Sequence, residues 1–574
     1  MRDEEGNKMD EIKKIIIDSI KKVLENDEIQ VEEYIEKPKD SSMGDFAFPC
    51  FKLASVYKRS PMEIAKELYE KLTALNLEGV GKIEAVGAYI NFFADSNVIA
   101  SQVISKVLSK GEEYLKSDLG KGKTVCIDYS SPNIAKPFHI GHLRTTIIGA
   151  ALYNLYKALG YRTVGINHLG DYGTQFGYVI EGYKRWKDEY DLDTEPIKSL
   201  VSIYVRISAL AKEDESVIEL ARENFAKLEQ GDKETVELWS KFRELSIKEY
   251  KRIYEKLDIE FDSYNGEAFY NDKMDEIVDI LEQKQVLTES EGAKVVNLKK
   301  EKVPCMILKS NGSTTYATRD LAAVLFRKRE YDFEKCIYVT GGEQMLHFKQ
   351  VFEVAEHIVG KDVAQGLVHV PFGMVLGSDG KKFSTRKGAS ATIEGVLDEA
   401  IEKSRETLIQ KGKDVEIEET AKKIGIGAVI FNDLKNSRIK DEVFDLDDML
   451  KFEGETGPYV QYTFVRTNSI LEKAGGLPSQ VNASLLKEKE ELELIKKIAD
   501  LENVMKQAAE EYEPSVLTRY VIEVATLFSK FYNECQVIVE DEELKNARLA
   551  LVYSTGVVIK GVLGILGIKC PDKM

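Results

Sequence analysis

A strand, a glycine-bearing turn and a long helix follow one another from Thr124, and this succession limits the fold more than any other stretch. Val125-Cys-Ile-Asp-Tyr129 has the near-continuous apolar character of a strand buried on both faces. Ile140 to Leu159 keeps helical spacing and stops at Gly160. Two further short apolar runs, Cys336–Val339 and Leu367–Val370, alternate with helical patterns. Parallel strands need crossover helices, so the alternation predicts a parallel, doubly wound sheet.

At 574 residues the chain exceeds one core, and several domains are expected. Residues 1–118 read as an N-terminal α+β unit. Met9 to Leu24 puts Ile12, Ile15, Ile16, Ile20 and Val23 on one helical face, Ser60-Pro61-Met62-Glu63 marks a helix start, and Val86 to Phe93 reads as a strand. The α/β unit spans 119–395 and carries a charged helical insertion at about 179–300. Residues 396–455 form a helical stem, and 456–574 an all-α unit. The most apolar stretch, Ala550 to Ile568, contains Lys560 and predicts a buried helix and no membrane span.

A formal charge of −18 argues against a protein that coats phosphate backbone non-specifically, although local basic patches on an acidic body still bind RNA. The six cysteines are widely spaced without a C-x-x-C pair, which argues against thiolate metal sites and suits a reducing, cytoplasmic setting. No coiled-coil or repeat pattern demands association, so a monomer is expected.

Two motifs carry chemistry. Ser130-Ser-Pro-Asn-Ile-Ala-Lys-Pro-Phe-His-Ile-Gly-His-Leu-Arg144 runs from a strand end into the first turn of a helix. His139 and His142 share a face there, Gly141 between them lets a flat ring or phosphate approach the backbone, and the helix amino end suits a polyphosphate. A histidine pair alone also suits zinc, but no third ligand of suitable spacing lies nearby, and no zinc is expected. Phe372-Gly-Met-Val-Leu-Gly-Ser-Asp-Gly-Lys-Lys-Phe-Ser-Thr-Arg-Lys-Gly388 combines glycines with Lys381, Lys382, Arg386 and Lys387. Taken alone it is as readily a solvated basic loop; beside the first motif it reads as a flap closing over a triphosphate.

Together these motifs resemble the signature pair of class I aminoacyl-tRNA synthetases, and the chain is similar nearly end to end to the arginyl-tRNA synthetase family. The resemblance continues through Gly44-Asp-Phe-Ala-Phe, Asn167-His-Leu-Gly-Asp-Tyr-Gly-Thr-Gln-Phe176, Tyr316-Ala-Thr-Arg-Asp320, Gly342-Glu-Gln-Met-Leu-His347 and Gly454-Glu-Thr-Gly-Pro-Tyr-Val-Gln-Tyr462, to a C-terminal helix bearing Arg548. It implies a Rossmann-like catalytic domain with a helical insertion, an N-terminal domain that meets the tRNA elbow, and a C-terminal anticodon-binding domain. The implied activity is ATP-dependent formation of arginyl-adenylate and transfer to the terminal ribose of tRNA(Arg), with Mg²⁺ arriving with ATP. It also implies that adenylate formation requires bound tRNA. His139, His142, Lys136, Lys382 and Arg386 are the implied catalytic residues, and Gly141, Met374, Lys381 and Ser384 the implied ATP contacts. The usual second lysine of the loop motif is Thr385 here; in the family Lys136 substitutes for it.

For the amino acid, a guanidinium is best held by carboxylates in a fork and an aromatic oxygen. Tyr316 and Asp320 lie four apart at a predicted helix start, and Asp128 ends the first strand. The resemblance places these three around the substrate side chain, and Ser131, Asn133 and Gln344 around its α-amino and carboxylate groups. For tRNA, Asn91 with Tyr89 and Phe92 on the N-terminal strand, and Tyr459, Tyr462 and Arg466 on one C-terminal helical face, are the candidate contacts; core packing competes for the aromatic residues. A class I synthetase for another amino acid, a small-molecule nucleotidyltransferase and a non-catalytic RNA-binding relative are the competing readings.

Overall fold

The computed structural model describes residues 8–26, 29–38, 43–136, 138–377, 380, 392–412 and 416–574. Its central sheet has the strand order Leu367–Phe372, Lys335–Gly341, Thr124–Asp128, Arg162–Ile166, with every neighbouring pair parallel. Val125, Cys126, Ile127, Cys336 and Ile337 are all 0% exposed, which explains why these runs read as unbroken apolar segments. The chain starts mid-sheet at Thr124, leaves to one edge, and returns on the other side at Lys335. Strand order therefore reverses between Thr124–Asp128 and Lys335–Gly341, and such a reversal opens a crevice at the carboxyl ends of the two strands.

The helix Gly141–Ala158 enters that crevice with its amino end and is buried along most of its length. Gly149 allows it to lie directly on Tyr129: a Cβ there would sit 2.2 Å from the Cβ of Tyr129. Arg144, 1% exposed, donates from Nε to Asp433 Oδ1 at 3.2 Å and from Nη1 to the Lys440 carbonyl at 2.8 Å. This ties the histidine-bearing turn to the stem helix Ile417–Lys435.

Five helices, Gln175–Trp186, Pro196–Glu213, Glu215–Glu229, Lys233–Leu257 and Met274–Gln283, lie in the insertion. Its expected helical character fails after Gln283. There Leu287–Ser290, Ala293–Val296 and Cys305–Leu308 make an antiparallel sheet. Glu291 and Gly292, with φ of 50° and 79°, make the tight left-handed turn that a two-residue hairpin needs. The expected single strand Val86–Phe93 is likewise a hairpin, Val80–Val86 against Tyr89–Ala94, broken where Gly87 takes φ +61°. Pro61 opens its helix as expected, but the Ser60 side chain makes no cap hydrogen bond.

The chain gathers into two compact units: residues 1–115, 460–507 and 519–562 in one, and 116–459, 508–518 and 563–574 in the other. In the first, Lys496 Nζ meets Asp45 Oδ1 at 2.6 Å, and the Tyr114 hydroxyl donates to the Ile498 carbonyl at 3.4 Å. The 24-residue helix Glu542–Ile565 is long and apolar enough to cross a membrane, but 78% of its most apolar window is buried within the protein.

Arg548 on this helix donates from Nε to Glu491 at 2.7 Å and from Nη1 to the Gln536 carbonyl at 2.8 Å. Glu491 is fully buried and also accepts the Glu488 amide at 2.9 Å. Arg548→Met would leave that carboxylate without its counter-ion and is expected to cost about 3–5 kcal/mol. A urea melt of the variant checks this, and an unchanged midpoint contradicts it.

Candidate active site

Past Asp128 the backbone turns sharply. Ser130 and Ser131 hold φ of 68° and 44°, and Ala135 holds 56°. Left-handed conformations at residues other than glycine cost about 1–3 kcal/mol each and persist only when the surroundings fix them. Here they do. The Ser130 amide donates to Thr145 Oγ1 at 3.0 Å, its hydroxyl pairs with Tyr254 OH at 2.7 Å, and the Ser131 hydroxyl donates to Asp128 Oδ1 at 2.9 Å. Asn133 lies against Gly170, where a Cβ would come 2.0 Å from the Asn133 amide oxygen. The turn thus delivers Ser131 and Asn133 to the mouth of the crevice.

At the helix entrance the rings of His139 and His142 stack with centroids 3.9 Å apart and planes 30° apart. His139 Nδ1 accepts the Gly141 amide at 3.1 Å, and a Cβ on Gly141 would meet that ring at 2.9 Å. Glycine therefore lets the imidazole fold over the first turn. Phe138 backs His142, with centroids at 5.4 Å. His139 also bridges Thr392, and the Ile393 amide donates to the Phe138 carbonyl at 3.0 Å.

Thr392 lies four residues beyond Gly388, the end of the cationic motif. Lys381, Lys382, Ser384 and Arg386, with Thr385 and Lys387, lie outside the described residues. On the preceding side, Met374 and Val375 line the crevice, Met374 being 58% exposed. Both described flanks of the motif therefore reach the histidine block.

The other end of the crevice is acidic. The helix Tyr316–Tyr331 opens with a Thr315 cap, whose hydroxyl accepts the Thr318 amide at 3.4 Å, and presents Tyr316 and Asp320 one turn apart. His347 Nε2 lies 2.5 Å from Asp320 Oδ2. Burial acts to raise the Asp320 carboxyl; the hydrogen bond and charge of His347, with His168 and Arg327, outweigh it and hold the group below the usual carboxylate range. Glu267 joins this end. Burial pushes its carboxyl up to about 7, against the pull of Arg319, whose Nη1 is 3.7 Å away.

Asp128 is engaged inside the protein. Its Oδ2 is paired at 2.7 Å with the buried Arg327, and its Oδ1 accepts from Ser131. Each oxygen already serves one internal donor, and the carboxylate still lines the cleft.

One cleft of about 870 Å³ gathers Asp128, Ser131, Asn133, His139, Gly141, His142, Tyr316, Asp320, Gln344 and Met374. Lys136 is exposed and absent from this lining; Tyr250 fixes its carbonyl at 2.9 Å. Glu267, His168 and His347 line the same cleft and were not assigned from sequence. His347 sits three residues after Gln344 in a motif already singled out, a spacing that places both near one helix face. Glu267 follows a Tyr-Asn-Gly turn with no periodicity to mark it.

The RNA candidates lie elsewhere. Asn91 is 3% exposed and packed in its sheet, so its side chain is not presented to solvent. Tyr459 is partly buried. The Arg466 guanidinium lies 5.0 Å from the Tyr462 ring centroid and 5.4 Å from that of Tyr532, and both rings are substantially exposed.

A parallel sheet whose order reverses beside an H-x-G-H helix entrance defines the class I aminoacyl-tRNA synthetase catalytic domain, and residues 103–446 match the family model "tRNA synthetases class I (R), catalytic domain". Residues 10–94 match the arginyl tRNA synthetase N terminal domain and 460–574 the DALR anticodon binding domain. The chain is 50% identical to the arginine–tRNA ligase of Clostridium beijerinckii over 97% of its length and 99% of that protein. It is 49% identical to that of Clostridium perfringens, over 98% and 100%. Its fold matches the crystal structure of Plasmodium falciparum arginyl-tRNA synthetase with a TM-score of 0.83 and 26% identity, covering 99% of each chain. The Thermus thermophilus enzyme shares the fold with a TM-score of 0.81. The chain belongs to the arginyl-tRNA synthetase family.

Proposed function

We propose that the protein is an arginine–tRNA ligase that joins L-arginine to tRNA(Arg) at the expense of ATP. One observation carries the reading: a stacked histidine pair at a helix amino end and a tyrosine–carboxylate group share one cleft. A nucleotide fits the first end and a guanidinium the second.

In this reading arginine lies with its guanidinium against Tyr316, Asp320 and Glu267. Ser131, Asn133 and Gln344 take its α-amino and carboxylate groups. Asp128, locked by Arg327, fixes the Ser131 hydroxyl. A carboxylate oxygen of arginine attacks the α-phosphorus of ATP, and the bond to pyrophosphate breaks. His139 and His142, with the helix amino end, stabilise negative charge on the phosphoryl oxygens; Gly141 and Met374 border the nucleotide. Lys136, Lys381, Lys382, Ser384 and Arg386 are assigned to the polyphosphate, with Mg²⁺ entering as part of the substrate Mg-ATP. The ribose hydroxyl of the tRNA end then attacks the acyl carbon and AMP leaves. Positioning and charge stabilisation supply the rate; no enzyme nucleophile is needed.

The functional division places the tRNA elbow on residues 1–118, catalysis on 119–395, the stem on 396–455 and the anticodon on 456–574. The exposed Tyr462, with the half-buried Arg466 over its ring, suits splayed anticodon bases, with Tyr459 on the same helix; buried Asn91 acts on the elbow through the shape of its sheet. The six free cysteines support a cytoplasmic location, and a monomer is the assembly inferred. Charging of tRNA(Arg) with each labelled amino acid tests the reading: arginine alone should be attached, and attachment of another amino acid in its place would overturn it.

A further inference from the structure

His347 reaches into the acidic end of the cleft from the first turn of the helix Met345–Val359. Its Nε2 is 2.5 Å from Asp320 Oδ2, and its ring packs edge-on to Phe348, with centroids 5.3 Å apart. Asp320 and His347 side chains retain 23% and 30% exposure, and both line the cleft, so the pair faces whatever binds there. A carboxylate in a wide cleft with a rotatable χ2 has no single direction. With one oxygen held by an imidazole, the other is aimed.

We propose that His347 is a positioning residue for the substrate guanidinium: it anchors one oxygen of Asp320 so that the other meets the guanidinium, and it gives up its proton to solvent as arginine binds. The inference rests on the assignment of Asp320 to the guanidinium made above. With a protonated imidazole the pair carries no net charge; with a neutral imidazole it carries one negative charge facing a cation. Arginine therefore favours the neutral ring, and the ring's proton and arginine compete. Burial works against a charged His347, but the hydrogen bond and charge of Asp320 outweigh it and hold the ring above its ordinary value.

Other groups face this pair. Glu267, His168 and Arg327 adjoin Asp320, with Arg319 beside Glu267, whereas His369 approaches from the strand Leu367–Phe372 and Glu343 from the turn Gly342–Gln344. His369, stacked on Phe348 at 4.8 Å, is lowered to about 4 by burial and stays uncharged through the neutral pH range. Glu267, at about 7, ionises within it and also favours arginine as pH rises. A pH profile of the wild type alone would therefore mix two groups.

The test compares full-length wild type, His347→Gln and His347→Ala in tRNA charging from about pH 6 to about pH 8.5. Glutamine keeps an N–H near the position of Nε2 but does not titrate. His347→Ala is expected to raise the KM for arginine about tenfold at pH 8, with kcat and the KM for ATP within about twofold, and His347→Gln to restore most of it. The fall in arginine KM with rising pH should be up to about tenfold steeper in wild type than in His347→Gln, since Glu267 is common to both. Equal slopes, or no rescue by glutamine, would overturn the proposal. An NMR titration of His347 in wild type needs no variant: its pKa should fall on adding arginine, and an unmoved pKa is equally fatal. Failure of the guanidinium reading itself shows differently, as an Asp320→Asn enzyme with an unchanged arginine KM.

Discussion

Replacing His142 with alanine is expected to slow arginine activation by about 10²–10³-fold while moving the KM for arginine by less than about threefold. The ring sits on the first turn of Gly141–Ala158, where backbone N–H groups and the helix dipole already favour negative charge. His139 stacks on one side of it and Phe138 on another, so the ring is held in place before the nucleotide arrives. A donor fixed in this way gains most when charge accumulates on the α-phosphoryl group, which happens in the transition state. In the proposed arrangement the guanidinium lies at the other end of the cleft, so its contacts are kept. Single-turnover rates with saturating arginine check this. A variant whose arginine KM rises as much as its rate falls would show that His142 acts in binding, contrary to the role assigned.

The second large effect is expected at Asp320. Asp320→Asn preserves shape but removes the charge that a guanidinium requires, and loss of one partner from such a pair costs about 2–5 kcal/mol. The KM for arginine should rise about 30-fold or more, with the KM for ATP unchanged, because the histidine pair that serves the nucleotide is untouched. Glu267 alone does not compensate: burial places its carboxyl at about 7, so it is only partly ionised at neutral pH. Steady-state kinetics with each substrate varied in turn provide the measurement, and an unchanged arginine KM would remove Asp320 from the pocket.

Three of the four central strands were legible because each holds a short apolar run between helical patterns; Arg162–Ile166 was not, because Arg162, Thr163 and Gly165 interrupt its apolar character. The histidine turn was legible because strand, glycine and helix start coincide within a few residues. Tyr316 and Asp320 could be paired from their spacing on a helix. What brings distant segments together was not. The Asp128–Arg327 ion pair joins positions 199 residues apart, and nothing in either local pattern announces that the carboxylate is already engaged. His347 reaches Asp320 only because two crossover helices meet beyond the same strand. Glu267 comes from a 3₁₀ turn, Glu267–Lys273, whose side chains follow no long repeat. Asn91 shows the reverse failure: a polar residue on a strand reads as exposed, yet this one lies on the central strand of its three-stranded sheet and is 3% exposed. The left-handed Ser130 and Ser131 also break the local preference of serine, and they do so where the substrate is expected, with tertiary hydrogen bonds enforcing the turn.

The proposed activity needs the histidine turn to hold phosphate and the tyrosine–carboxylate group to hold a guanidinium within a single cleft. ATP–pyrophosphate exchange, run with each amino acid in the presence of tRNA(Arg), tests that most directly. Arginine should support exchange, and His142→Ala should abolish most of it. Exchange driven by an amino acid without a guanidinium, with arginine inert, would contradict the account.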